Sequence, residues 1–485
     1  MIEALLATSI FITILSGIRS NSIFHKLTII LSFVVVIILS ILICKIRPEE
    51  EIKFLINENV SLYLRPNKLG SIFIVLVASL WPISYFYSLY YIKVKNEGRV
   101  ERFGVFLNAS FCASIALGLA GNLMTMYVFY ELLTLLTLPL VGHVYSPAAS
   151  HGLRQYINYL FSSSVCLFLP TVIFVTYACD GGYFNGDSNG ILHNIWHGHK
   201  ILILLAFMYG IAKTAIFPLH DWLIYAMAAN YPTSAILHGV LVVNSGIFCL
   251  TKILEEIVGQ QTLETIINGY HMIYFLPMIG LAYSGTMGII ETSAKKILAW
   301  STICYLNLML VMLLSNLGSE IVIKQLIIHS YAKLSLFLLL GYLYTKEVFF
   351  DVDDLAGVIK NQKIIFLLFV LTSLILSGYS IFYFGEFKDV VKNIAASNYN
   401  LASLLSIILS SFFSIIYLGR IMISMSYGAT SDKFSANGNL DSDSDFNAES
   451  NPESNRVLFC LVCTAALGAN IVALYVEPIY DYLCS

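Results

Sequence analysis

Long apolar runs separated by short polar ones set the pattern of this chain. A helix that crosses a bilayer needs about 20 mostly apolar residues. With that ruler the sequence divides into about fourteen candidate spans. The first seven are residues 1–17, 24–44, 70–91, 103–120, 123–142, 155–178 and an interrupted 200–227. The rest are 232–255, 271–291, 297–314, 320–345, 363–391, 401–427 and 456–476. The pattern predicts an all-α, polytopic membrane protein. The first run lacks a basic leader and a cleavage site, so it reads as a retained helix rather than a signal peptide.

Two stretches break the pattern. Residues 179–199 form a Gly/Asn/His-rich loop with His193, His197 and His199. A wet loop accounts for them, and no metal site is expected. Residues 430–455 are rich in Ser, Asp and Asn. They carry too little apolar surface to fold, so a disordered cytoplasmic loop without a catalytic role is expected.

Composition narrows the class. Of 485 residues 58% are hydrophobic and 12% charged, with a net charge of −3 and a mean hydropathy of +0.78. A soluble domain carries roughly 25% charged residues, so most of this surface must face lipid. The balance provides no basic field for nucleic acid. The nine cysteines lie mostly inside apolar runs, and Cys460 with Cys463 is the one close pair. They read as small apolar filler, and no cofactor is expected on them.

Lys and Arg set the orientation. Odd-numbered loops hold Arg19, Lys26, Lys93, Lys95, Arg99, Arg102, Arg154, Lys295 and Lys296. Among even-numbered loops only the long one with Lys45, Arg47, Lys53, Arg65 and Lys68 is basic. Both termini are therefore expected outside, in the periplasm for a bacterial inner membrane.

Ionisable groups at mid-membrane cost at least ~2.5–3.5 kcal/mol each and tend to be kept for function. Glu131 lies in the fifth span, Lys213 in the seventh, His238 in the eighth, His329 and Lys333 in the eleventh, and Lys388 near the end of the twelfth. Each has a bland alternative. Glu131 and Lys213 could form a structural ion pair, Lys333 and Lys388 could snorkel to an interface, and His238 could be a satisfied core histidine. Lys295 and Lys296, at a helix start, could be explained by topology alone. Pro218, five residues after Lys213, removes a backbone donor and frees the Thr214 carbonyl. Broken backbone at that depth is tolerated only inside protein or beside water, and it is how transporters build ion sites. Burial disfavours the charged amine and a nearby carboxylate favours it. Moving Glu131 relative to Lys213 would then switch the lysine between holding and releasing a proton, with histidine as relay.

These residues carry a family resemblance. The chain resembles the antiporter-like membrane subunits shared by respiratory complex I (NADH:quinone oxidoreductase) and Mrp-type multisubunit cation/proton antiporters. The matching motifs are Phe129–Leu132, then Lys213, Pro218, His220, Trp222 and Leu223, then Ser234, Ala235, His238 and Gly246. They continue with Lys295–Ile303, then His329, Lys333 and Phe337, and finally Gly378 followed by Lys388. Departures are Ser293 in place of an acidic residue, a reduced proline-rich break at Asn230–Pro232, and no prolines after Gly378.

The resemblance implies two inverted five-helix repeats, each with a broken helix. It divides the chain into 1–102 (helices 1–3), 103–256 (first repeat), 257–427 (second repeat), 428–455 (loop) and 456–485 (last helix). It implies proton translocation through Glu131, Lys213, His238, Lys333 and Lys388, with Lys388 as the second-repeat counterpart of Lys213. It also implies partner membrane subunits, with protons and a cation such as Na⁺ as cargo. Tyr130 to His143 is most similar to D-type Mrp subunits, so a cation/proton antiporter is the main expectation. A complex I subunit is the alternative. The sequence has no G-x-G-x-x-G after a strand and no cysteine cluster for an iron–sulfur centre, so NADH oxidation would fall to partners.

Overall fold

A computed structural model describes residues 1–18, 22–57, 60–179, 181–184, 190–194, 197–315, 318–346, 351–379, 400–427 and 452–484. Helices α1 (Ile2–Gly17) and α2 (Ile23–Ile46) pack beside α3 (Lys68–Val94) and α4 (Val100–Gly118). Next come α5 (Leu123–Val141) and a long span that runs from α6 (Pro147–Ser163) through a wide π turn (Ser164–Phe168) into α7 (Leu169–Ala178). The middle of the chain holds α8 (His197–Gly210), the short α9 (Asp221–Tyr225), α10 (Tyr231–Gly239), α11 (Val242–Ile253) and α12 (Gln260–Gly269). Then follow α13 (Phe275–Ile290), α14 (Ala294–Leu314), α15 (Ser319–Lys346), the one-turn α16 (Val358–Asn361) and α17 (Lys363–Leu374). The last two are α18 (Asn400–Ser426) and α19 (Pro452–Cys484).

Among the described residues ten helices are long and apolar enough to cross a membrane, and shorter apolar ones lie at Ile2–Gly17, Gly198–Gly210, Phe275–Ile290 and Lys363–Gly378. The protein is a multi-pass membrane protein. Burial separates its centre from its rim. Every residue of the apolar stretch in Tyr231–Val258 and in Ala294–Leu314 is buried, against 33% in Ile23–Ile46 and in Ser454–Cys484. A charge within the apolar stretch of α10, α11 or α14, or in the middle of α15, therefore meets protein, whereas α2 turns Phe24, Leu31 and Ile38 outward.

Several elements differ from the sequence-based expectation. The second loop folds as an antiparallel hairpin, β1 (Ile52–Asn57) with β2 (Val60–Leu64), pairing Ile52 with Leu64 and Phe54 with Leu62. Its strands are held from the sides: the Tyr63 N–H donates to the Thr125 hydroxyl at 2.7 Å, and the Lys53 amine lies 5.1 Å from the Tyr183 ring. The last helix starts at Pro452 and runs to Cys484, with a kink at Tyr475 three residues before Pro478. Residues 260–269, expected as loop, form α12. Of the polar stretch 430–455, residues 430–451 lie outside the described residues, as does Lys388.

Candidate functional site

The seventh span breaks earlier than its proline suggests. Helix α8 stops at Gly210, the chain makes a 3-10 turn over Ala212–Thr214, and Ala215 takes a left-handed conformation (φ 49). This freed backbone is fully buried, so each polar group needs a partner from elsewhere. The Trp222 indole N–H donates to the Ala212 carbonyl at 3.0 Å, and the Lys213 N–H reaches the Tyr130 hydroxyl at 3.4 Å. The Tyr209 hydroxyl donates to the Phe217 carbonyl at 3.3 Å, and the Asn307 amide to that of Ala215 at 3.4 Å. The break is thus wrapped in protein and not presented to lipid. Gly246 on α11 explains the close fit. A Cβ there would lie 2.7 Å from the Lys213 carbonyl carbon and 2.7 Å from the Thr214 nitrogen.

Lys213 is completely buried. Its amine donates to the Tyr130 carbonyl at 2.5 Å and sits 3.5 Å from the centre of the Tyr130 ring. Glu131, the next residue on α5, is also buried, and neither carboxylate oxygen has a hydrogen-bond partner among the described residues. The Ser164 hydroxyl donates to the Phe161 carbonyl at 3.1 Å and stands close enough to the Glu131 carboxylate to reach it by rotating. The anticipated Glu131–Lys213 pair is therefore within electrostatic reach but not in contact: the amine holds the main chain beside the carboxylate. A buried carboxylate without donors is costly unless it is protonated or transiently paired.

His238, at the end of α10, is fully buried, and both ring nitrogens lack partners among the described residues. Its ring packs 5.1 Å from that of Phe337. Immediately after it the eighth span breaks again, between Gly239 and Val242. No proline announces this interruption. The Asn244 amide repairs it, donating to the carbonyls of Gly239 (2.9 Å) and Val240 (3.0 Å) and to the Ser330 hydroxyl on α15 (2.7 Å). Ser330 follows His329, whose ring stacks 4.8 Å from Tyr305 and whose nitrogens are likewise unpartnered among the described residues. One turn further Lys333, fully buried, donates to the Leu298 carbonyl at 3.0 Å and to the Ser301 hydroxyl, both on α14. Lys333 and His329 are within electrostatic reach of His238. At Gly378 the twelfth span leaves the helical path (φ 88, ψ 8).

Residues 120–414 match the family described as NADH:quinone oxidoreductase/Mrp antiporter, TM. The chain belongs to that family. Among its relatives, a probable K(+)/H(+) antiporter A/B protein of Rhizobium meliloti is 26% identical over 65% of this chain and 31% of its own length. The chloroplastic NAD(P)H-quinone oxidoreductase subunit 5 of Glycine max is 30% identical over 58% of this chain and 38% of its own length. A putative antiporter subunit mnhA2 of Staphylococcus haemolyticus is 27% identical over 52% and 31%. The chain thus spans about a third of the length of these curated relatives. A chain from the membrane-bound sulfane sulfur reductase, an archaeal respiratory membrane complex, shares the fold with a TM-score of 0.72 at 16% identity, covering 99% of this chain and 95% of that one. Both branches of the family appear among the relatives, and these are subunits of multisubunit membrane assemblies.

Within this antiporter-like protein, two groups of charges escaped the sequence reading. At the end of the molecule where α3 stops, the Glu97 carboxylate accepts from the Asn230 amide at 2.7 Å and lies 3.9 Å from His143 Nε2. Burial raises the Glu97 carboxyl above its ordinary range, against the opposing pull of Asn230, Lys295 and Lys95. Lys295 is partly buried there: its amine donates to the Met227 carbonyl at 2.9 Å and to that of Ala229. Glu97 and Lys295 share a cavity of ~290 Å³ with Asn230, Tyr231 and Tyr344. At the other end, where α3 begins, a cavity of ~810 Å³ is lined by Arg65, Asn67, Lys68, Glu255, Glu256 and Glu320, among others. Lys252 lies buried behind it. It stands three residues before the predicted end of an apolar run, where a charge is inconspicuous in the sequence.

Proposed function

We propose that the chain is the proton-translocating membrane component of a multisubunit monovalent cation/proton antiporter. The single observation carrying this reading is the Lys213 site: a fully buried amine on a broken backbone, bound to the carbonyl of Tyr130, beside a Glu131 carboxylate that nothing else among the described residues satisfies. An ammonium bound to the carbonyl of one residue and within electrostatic reach of the carboxylate of the next could exchange a proton with that carboxylate by moving toward it. The buried carboxylate is better off as the acid, and the buried lysine as the amine, whenever the two separate. Coupled groups of this kind titrate as a unit.

The swing would be relayed sideways. The ring nitrogens of His238 have no hydrogen-bond partner among the described residues, the His329 ring lies close to the His238 main chain, and neutral imidazole both accepts and donates. Lys333 follows them, and Lys388 would end the line in a second repeat. In this reading residues 1–102 flank two inverted repeats, 103–256 and 257–427, and the Gly378 departure from helical geometry is the second break. In this reading the Glu97 end, with the basic loops, faces the cytoplasm and both termini face the periplasm of a bacterial inner membrane. The D-type likeness rests on Tyr130 to His143 alone, since the relatives named above are A-type subunits and subunit 5. A proton-pumping subunit of NADH:quinone oxidoreductase is the second reading, favoured by the 30% identity with the soybean chloroplast protein.

The test uses inverted membrane vesicles carrying the assembled complex and a pH-sensitive dye. Antiport predicts that added Na⁺ or K⁺ collapses a preformed pH gradient in proportion to the complex present. Lys213→Ala should abolish this with assembly intact. A gradient that only NADH builds, insensitive to added cation, would favour the second reading. Unchanged flux in correctly inserted Lys213→Ala would remove Lys213 from the mechanism.

A further inference from the structure

Proton movement through Lys213 needs a way out to water, and one face of α11 runs from that lysine to the larger cavity. Gly246 touches the Lys213 main chain. Cys249, one turn on, is within electrostatic reach of both Lys213 and Lys252. Lys252 follows about 9 Å along the axis from Gly246 at 1.5 Å per residue, and Glu256 lies four residues further on, in the π turn Leu254–Val258 that continues α11, within electrostatic reach of Lys252. Spacings of three keep Gly246, Cys249 and Lys252 on one side of α11.

Lys252 is completely buried. Its amine donates to the Ala120 carbonyl at 2.6 Å and lies 4.5 Å from the centre of the Phe184 ring. Gly121, Phe184 and Glu256 all line the ~810 Å³ cavity. The amine thus sits directly behind the cavity wall, made by the residue after its acceptor, by the ring it faces, and by the carboxylate one turn ahead. Glu256 in turn accepts from the Asn67 amide at 2.5 Å, and Asn67 also lines the cavity.

We propose that Lys252 and Glu256 form the link between the Lys213 site and this cavity, passing protons across the wall. The proposal rests on proton translocation through Lys213. In the step, the Lys252 ammonium gives a proton to the Glu256 carboxylate, leaving an amine and a carboxylic acid. The acid then loses that proton to cavity water, and the amine takes the next one arriving from Lys213. Net, one proton moves and both groups return to their starting forms. Asn67 holds the carboxylate at the wall without competing for the proton, because an amide donor cannot accept one there. Arg65, Lys68, Glu255 and Glu320 share the cavity and set the field in which Glu256 exchanges.

The test measures cation-driven proton flux in vesicles with the assembled complex, normalised to the amount of this chain assembled. Glu256→Gln keeps shape and the Asn67 contact but carries no proton; flux should fall roughly 10-fold or more, and the pH dependence seen from the cavity side should shift. Glu256→Asp should restore most of the flux. Lys252→Arg should be as impaired as Lys252→Gln, because a guanidinium keeps charge and donor but does not release its proton; a purely structural lysine would be rescued by Arg. Wild-type rate and pH profile in Glu256→Gln, or full flux in assembled Lys252→Arg, would overturn the proposal. Loss of flux in Lys213→Ala with wild-type flux in Glu256→Gln would overturn this link alone, whereas retained flux in Lys213→Ala would overturn the central reading.

Discussion

Lys213 and Lys333 are equally buried, and each donates to a main-chain carbonyl of a neighbouring helix. Their settings differ. Lys333 stands on the unbroken α15 and has a second acceptor, the Ser301 hydroxyl, so its amine is held from two sides. Lys213 stands on interrupted backbone, donates to one carbonyl, and adjoins a carboxylate without partners among the described residues. A lysine fixed by a regular helix can store a proton. A lysine on a break beside an unsatisfied acid can hand one over.

Substitutions should rank by how far they erase that contrast. Lys213→Arg keeps a cation on the break yet cannot release its proton; flux should drop by about 100-fold or more, much as for Lys213→Ala, with assembly unchanged on native gels. Glu131→Gln removes the alternative acceptor while keeping shape, and should lower flux by roughly 10- to 100-fold, read in the same vesicle assay. Lys333→Ala should cost about 10-fold; an effect as large as that of Lys213→Arg would erase the distinction drawn between the two lysines. Lys295→Ala should do less, on the order of a few-fold, since its amine is occupied by carbonyls at a helix start.

The smallest effect is one of stability. Burial, with the Arg102 and Arg99 guanidiniums nearby, holds the His143 imidazole below its ordinary 6.5. A base with a lowered folded value binds fewer protons in the native state, so stability is lost as pH falls through about 6.5. Glu97, raised by burial, takes up a proton as pH falls and works in the opposite direction, with Lys295 and Lys95 also facing it. His143→Gln should therefore show a smaller loss of melting temperature between pH 7.5 and 5.5, by roughly a few degrees, in detergent-purified protein.

Much of this was legible in the sequence, for one reason: charge in oil is expensive enough to be conspicuous. Glu131, Lys213, His238, His329 and Lys333 announce themselves against Leu, Ile and Phe, and their motif spacing carries the family. The span ruler also found most of the described apolar helices, because length and apolarity are local properties. What lay beyond it was non-local. Nothing in the sequence says that Lys213 takes the Tyr130 carbonyl and not the Glu131 carboxylate, since both acceptors are one residue apart on α5. The interruption after Gly239 carries no proline, and Asn244 reads as an ordinary polar residue until its amide is seen on two freed carbonyls. Lys252, close to a span end, is inconspicuous in the sequence. The hairpin at 52–64 alternates too weakly in a basic loop to be told from coil. Glu97 gained its meaning only when Asn230 and Lys295 arrived from distant stretches.

Gly246 has a consequence for how such a protein could be silenced. The slot it leaves against the Lys213 carbonyl carbon, 2.7 Å from where a methyl would stand, is occupied by backbone and not by a side chain that could step aside. Gly246→Ala would therefore displace the amine from its acceptor without altering any titratable group. Conduction would be shut off by shape alone, in a chain whose inventory of charges remained complete.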